Sequence, residues 1–369
     1  MNKGQKKIII WVFAVAAFLM AAIFAYALFF RTDKKSDPVR TEITQIPEVS
    51  EPPAPTQNPH EGKVQSMLSG QWVSKETENK RPFAVVINNI EYAFLHQMGT
   101  SRADIIYEAL AEGGIPRMMA LYEDIGDVKK IGSIRSARHY FVQFAYEWDA
   151  VYCHFGHTKY ATAKIKKLKV DNISGLSAIG PVAYKRNYSV RAPHNVFTSG
   201  KMLKKGAKKL KYSLKRNKKE MAEHFTFSDK DTPLNTEKKA KTAVLPFSYY
   251  ATCKLTYSQK KKQYLKYEYG KKHMDSYYKK QLAFKNVIIQ LVRESNIDRN
   301  GYQTMELTKN SGDGYYLTDG KQVPIRWKRE ESSNIMRYYT KDGETLTLNP
   351  GKTYIAVFPK NRRKLIRIK

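Results

Sequence analysis

The sequence predicts an α/β (α+β) N-terminal domain with βαβ units, then a mostly antiparallel β domain, both behind an N-terminal transmembrane helix. Three observations carry that expectation. Ile8 to Phe30 is apolar almost throughout and holds no charged residue. Ile131 to Gly156 reads as apolar run, helix-period segment, apolar run, which is the sequence form of a βαβ unit. Beyond about Lys239 the apolar period changes to two.

At about 1.5 Å per residue, the first run is long enough for a hydrocarbon core of about 30 Å. Lys3, Lys6 and Lys7 precede it and hold residues 1–7 in the cytoplasm, so the rest lies outside. The run ends Leu28-Phe29-Phe30-Arg31, a poor signal-peptidase site, and no cysteine comes after it for lipid attachment. Residues 31–78 are rich in Pro, Glu, Ser and Thr and read as a tether, with Val64 to Trp72 able to dock on the first domain. The net charge of +31 calls for anionic surroundings. Outside the cell that means lipid head groups, a phosphate-rich wall polymer or peptidoglycan carboxylates, and no nucleic acid. Cys153 and Cys253, the only cysteines, exclude a disulfide scaffold and a cysteine-rich zinc site.

In the domain expected over 79–222, Phe83 to Ile87 reads as a buried strand ending in Asn88 and Asn89. Ser101 to Asp104 resembles a capping box, so a helix is expected from there to Glu112, stopped by Gly113 and Gly114. On that helix Glu108 and Glu112 would share a face, as an acid–base pair or as carboxylates that orient Arg117, Arg135 and Arg138. Ile115 to Tyr122 is the next strand. Within Ile131 to Gly156, Arg135, Ser136 and Arg138 fall at a strand-to-helix junction, where unpaired N–H groups and guanidiniums favour a phosphate or carboxylate. Ser136 doubles as a candidate nucleophile. His154 is a candidate base; with His157 it lacks a third ligand at a characteristic spacing, so no metal is expected. Pro193 pins the loop that displays Arg191, His194 and Asn195, and His194 is a second candidate base. Thr198 and Ser199 cap a helix with an apolar stripe through Met202, Leu203, Ala207, Leu210 and Leu214, otherwise crowded with lysine.

In the domain expected over 239–369, Lys254 to Tyr269 alternates across a polar turn as a hairpin, and Asp319-Gly320 and Asp342-Gly343 mark further turns. Most of the 25 tyrosines fit sheet packing. No Gly-rich phosphate loop, Gly-x-Ser-x-Gly or His-Glu-x-x-His occurs, so no cofactor is implied.

Five stretches in order, Arg81 to Asn89, Ala103 to Gly114, Ile134 to Arg138, Tyr152 with His154 and Gly156, and Arg191 to Asn195, resemble the YerB-like family, whose DUF3048 domain has no known function. The likeness runs from about Arg81 to the C-terminus. It implies a bacterial envelope protein, often a lipoprotein, and brings no reaction or cofactor; this chain departs in having an apolar anchor where a lipobox would stand. The function expected is binding of an anionic wall or lipid-linked ligand through Arg117, Arg135, Ser136, Arg138, Arg191, His194, Asn195, Asn88 and Asn89. The alternatives are a hydrolase or transferase on the same residues and a scaffold for an envelope partner protein. Complete pairing of Glu108 and Glu112 with the arginines would favour the scaffold.

Overall fold

Among the described residues, apolar runs become the middle of one sheet of ten strands. The structure, a computed structural model, describes Met20 and residues 60–217, 224–308, 310–329 and 335–369. Its main strands are β1 (Phe83–Asn88), β2 (Ile105–Leu110), β3 (Pro116–Tyr122), β4 (Val151–His154), β5 (Asn172–Ser174), β6 (Thr252–Ser258), β7 (Gln263–Glu268), β8 (Asn286–Val292), β9 (Ser311–Thr318), β10 (Lys321–Arg329), β11 (Met336–Thr340) and β12 (Thr353–Pro359). Its longer helices are α1 (His139–Glu147), α2 (Lys159–Leu168) and α3 (Gly200–Lys209). The large sheet has the order β11-β10-β9-β8-β12-β2-β3-β1-β4-β5. β8, β12 and β2 pair parallel, as do β1, β4 and β5, while β3 runs antiparallel between β2 and β1.

Every residue of β1, β2, β3, β8 and β12 is buried, because both faces of the sheet are covered. β2 shows how. Tyr107 meets α1 on one face, stacked on Phe144 at 4.5 Å and accepting the Trp148 indole N–H at 2.9 Å. The next residue, Glu108, points the other way, into a smaller six-stranded sheet that contains the hairpin β6–β7. A fully buried Val, Leu or Ile contributes about 1.5–3 kcal/mol, so β1 alone, with Val85, Val86 and Ile87 sealed, is a substantial part of the core.

The fold class differs from the expectation: among the described residues the elements are mostly strands, with few helices. The helix read from Ser101 to Glu112 is a short 3-10 turn, Thr100–Arg102, followed by strand β2. Its capping residues serve other partners: the Ser101 N–H and hydroxyl donate to Asp275 at 3.0 and 2.8 Å, and Asp104 accepts the Glu123 N–H at 2.9 Å. The βαβ unit expected across Ile131 to Gly156 lacks its first strand, since only Ile131–Gly132 is extended and it pairs with Val196–Thr198 in a separate small sheet. A parallel strand–helix–strand unit lies one step later, as β4–α2–β5. The C-terminal part is not wholly antiparallel, because β12 lies between β8 and β2 and is parallel to both. The transmembrane helix expected over Ile8 to Phe30 falls outside the described residues apart from Met20. Among the described residues no helix is long and apolar enough to cross a membrane; α2 and α3 are ten residues each. Lys63–Gln65 and Trp72–Ser74, at the end of the expected tether, pair as two short strands, and Leu68 between them joins the core.

Candidate functional site

Since β8, β12, β2, β1, β4 and β5 run the same way, their carboxyl ends form one edge of the sheet. β1 and β4 pair only through Phe83–Val85, and beyond that point Ser133–Ala137 enters between them. Asn88 donates its N–H to the Ser133 carbonyl and Arg135 donates to Val86, while Phe155 donates to Arg135 and Ala137 to Gly156. The chain thus fills the strand-end crevice with its own backbone, and the Arg135–Arg138 side chains sit at its mouth. Ser136 fits only because residue 156 is glycine: a Cβ there would lie 2.6 Å from the Ser136 Oγ.

Three arginines converge here. Arg117, opposite Asn88 in the register, donates to the Ser136 carbonyl at 3.1 Å. Arg138 grips Glu112 through Nε at 2.6 Å and through a second N–H, and also donates to the Ala137 carbonyl at 3.0 Å. Arg135 has a buried Nε with no acceptor. Burial, and after it the charges of Arg138 and Arg135, push the Arg117 guanidinium down to about 9. Burial and the Arg138 charge lower Arg135 as well. Burial opposes ionisation of Glu112, but the hydrogen bond and charge of Arg138 outweigh it and hold that carboxyl below its usual range. Three cations therefore face one carboxylate.

Beside them, Asn88 Nδ2 lies 2.8 Å from His194 Nδ1. An amide nitrogen only donates, so His194 Nδ1 is unprotonated. Burial and the nearby charges of Arg135, Arg191 and His96 lower the pKa of His194. Arg191 is exposed and lies 5.2 Å over the ring of Tyr92, which also stands 5.2 Å from the His194 ring. Asn195 is turned inward to accept from Arg186 at 2.8 Å. His154 is buried, with Nδ1 donating to the Gly156 carbonyl at 2.8 Å and Nε2 facing Asn172. Among the described residues no hydrogen bond joins any two of His194, His154, Glu108, Glu112 and Ser136.

Among the described residues no arginine pairs with Glu108. It is sealed under the six-stranded sheet with Lys266 at 3.0 Å, and Lys266 also bonds Glu268. Tyr354 donates to Glu108 at 2.7 Å and Asn89 at 2.9 Å, the latter also reaching Glu268. His273 Nδ1 accepts from Lys266 at 3.0 Å, and its Nε2 donates to Gln97, whose amide donates to Asn89 Oδ1 and the Asn88 carbonyl, both at 2.8 Å. A polar chain thus runs from His194 through Asn88 into the core. Glu108, Cys253 and Glu268 bring their ligand atoms within 4.8 Å of one another. Lys266 bonds both carboxylates, so the cation of this cluster is supplied by the chain itself.

Burial first, then the charge of Glu108, push Glu268 up to about 8 from an ordinary 4.5. The folded state thus holds a proton that the unfolded chain releases, and the stability this supplies is full below about pH 4.5 and lost as pH rises toward 8. Glu268→Gln is expected to flatten the fall of Tm between about pH 5 and 8 relative to the native protein. Thermal melts of both proteins across that range test this, and equal slopes would contradict it.

Sequence reasoning brought Arg117, Arg135, Ser136, Arg138, Glu112, Asn88 and His194 to one edge. It missed Tyr92, Gln97, Lys266, Glu268 and His273. The available signal was the alternation Tyr264, Lys266, Glu268 on one face of β7.

Residues 68–213 match the family described as "Protein of unknown function (DUF3048) N-terminal domain", and residues 243–355 match its C-terminal domain. The Bacillus subtilis (strain 168) protein named "Putative lipoprotein YerB" is 29% identical over 297 residues, which is 80% of this chain and 87% of that protein. The crystal structure of the YerB protein from Bacillus subtilis superposes with a TM-score of 0.74 at 27% identity, over 83% of this chain and 100% of that one. The chain belongs to the DUF3048 family of YerB-like proteins, a family of unknown function.

Proposed function

We propose that this is an envelope-associated protein that binds a carboxylate- or phosphate-bearing ligand at the carboxyl edge of its large sheet. Arg135, Arg117 and Arg138 supply the charge, with Asn88, His194 and Arg191 at the border. The envelope location draws on the relative named as a lipoprotein. The observation that carries the ligand reading is the excess of cation: three guanidiniums, one carboxylate, and a buried Arg135 Nε with no acceptor. Buried charge of one sign is costly unless an anion completes it. The scaffold reading asks for carboxylates that neutralise the cluster, and only Glu112 does so, since Glu108 is held by Lys266.

A charge-assisted hydrogen bond contributes about 1.5–3 kcal/mol. Arg135→Ala should therefore weaken binding by roughly 10- to 100-fold while leaving stability unchanged or raised, because like-charge repulsion is relieved. Calorimetric titration of the full chain with inorganic phosphate, N-acetylmuramic acid and a glycerol-phosphate polymer reads the first effect and separates the sources of the anion. Thermal melting reads the second. If no anion distinguishes native protein from Arg135→Ala, the proposal is wrong.

A further inference from the structure

A second basic surface lies apart from the arginine edge. Lys201, Lys204, Lys205, Lys208 and Lys209 of α3, with Gly126, line an open groove of about 610 Å3. Their spacing places them on one helix face, while Leu203, Gly206 and Ala207 are buried on the other. Asp124 borders the groove near Lys204, but its carboxylate is bonded to Lys80 at 2.5 Å. Among the described residues none of the five lysines has an ion-pair partner.

We infer that this lysine face docks on the head groups of an anionic phospholipid bilayer. The inference rests on the envelope location proposed above, but not on the arginine site. Two features favour a bilayer over a discrete ligand. The groove offers only flexible point charges and no guanidinium or aromatic side chain to shape a pocket, which suits a diffuse field of phosphates. It also adjoins the stem by which the chain enters the large sheet. Arg81, two residues before β1, donates its N–H to Leu214 just past α3, and Lys80 bridges to Asp124 beside the groove. A surface met at this edge leaves the arginine edge facing away.

Each near-surface lysine adds on the order of fivefold to partitioning onto an anionic leaflet. The test is acetylation of lysines by an N-hydroxysuccinimide ester, read by mass spectrometry, on the full chain in phosphatidylglycerol-containing and in purely phosphatidylcholine vesicles. In the anionic vesicles the five lysines should react roughly 3- to 10-fold more slowly, and raised salt should abolish the difference. Lys260, Lys261 and Lys262, exposed at the β6–β7 turn, should not change. Lys204→Glu, Lys205→Glu and Lys208→Glu together should remove the protection of Lys201 and Lys209. Arg135→Ala should leave it intact, which separates this inference from the anion site. Equal rates in the two vesicles, slowing spread evenly over all lysines, or protection by a soluble glycerol-phosphate polymer but not by vesicles would each overturn it.

Discussion

Lys266→Met is expected to lower the unfolding free energy by about 3–5 kcal/mol, the usual cost of removing one partner from a buried ion network. The lysine is fully sealed and bonds Glu108 and Glu268, both also sealed. Burial alone would drive its ammonium toward the neutral form, and the Glu108 charge together with the hydrogen bond to Glu268 holds it charged. Without it, Glu108 and Glu268 face each other with no cation. Adding Glu108→Gln and Glu268→Gln to the methionine should recover much of the loss, since the remaining groups are then neutral and of similar volume. Urea unfolding of the single and triple variants reads both numbers. A single variant within about 1 kcal/mol of native would show that the cluster is no electrostatic lock between β2 and β7.

Gly200→Ala is expected to cost about 1–3 kcal/mol through overpacking at the start of α3. A Cβ at that position would stand 1.6 Å from the Ile125 carbonyl oxygen, and the Gly200 N–H already donates to Val128 at 2.8 Å. The helix cannot retreat without losing that bond and the Ser199 cap on Met202. Gly206→Ala makes the comparison: its Cβ would come no nearer than 3.2 Å to Ala183, and alanine favours a helix interior by about 1 kcal/mol. The two substitutions should thus differ sharply in thermal melting. Similar melting temperatures would mean that the Ile125–Val128 loop yields easily.

The sequence made one edge of the molecule readable and hid its centre. β1 and β4 were visible as apolar runs with polar ends, and the pinned Arg191–Asn195 loop was visible from its proline. β2 was not, for a physical reason. A strand covered on both faces has no period of two, and Ile105, Ile106, Ala109 and Leu110 happen to fall at helical spacing beside cap-like residues. Reading Glu108 as helical put it beside Glu112, whereas the strand sends it into the core toward Lys266. In β7 the binary pattern is reversed: Lys266 and Glu268 point inward while Leu265 and Tyr267 are only half-buried. Binary patterning assigns charges to solvent, and only the facing strands β2 and β12, which carry Glu108 and Tyr354, could show otherwise. The site at the strand ends was legible because Arg135 and Arg138 are close in sequence and Arg117 and Asn88 stand at strand ends that read as apolar runs. The cluster beneath it, joining residues as distant as Asn89 and Glu268, was not.

The place of β12 governs how the chain can be made. It leaves the ribosome after both of the strands that flank it, and it sits in the interior of the sheet, with Thr353 beside Ile105 on one side and Asn286 on the other. Until it arrives, β2 and β8 each present an apolar edge with open backbone groups, of the kind that templates aggregation. The nascent N-terminal half cannot finish folding while the rest is being synthesised, and closure waits on contacts of very long sequence separation. Stopping translation before Thr353 would not trim a tail; it would leave two unmatched half-sheets, each with a sticky margin.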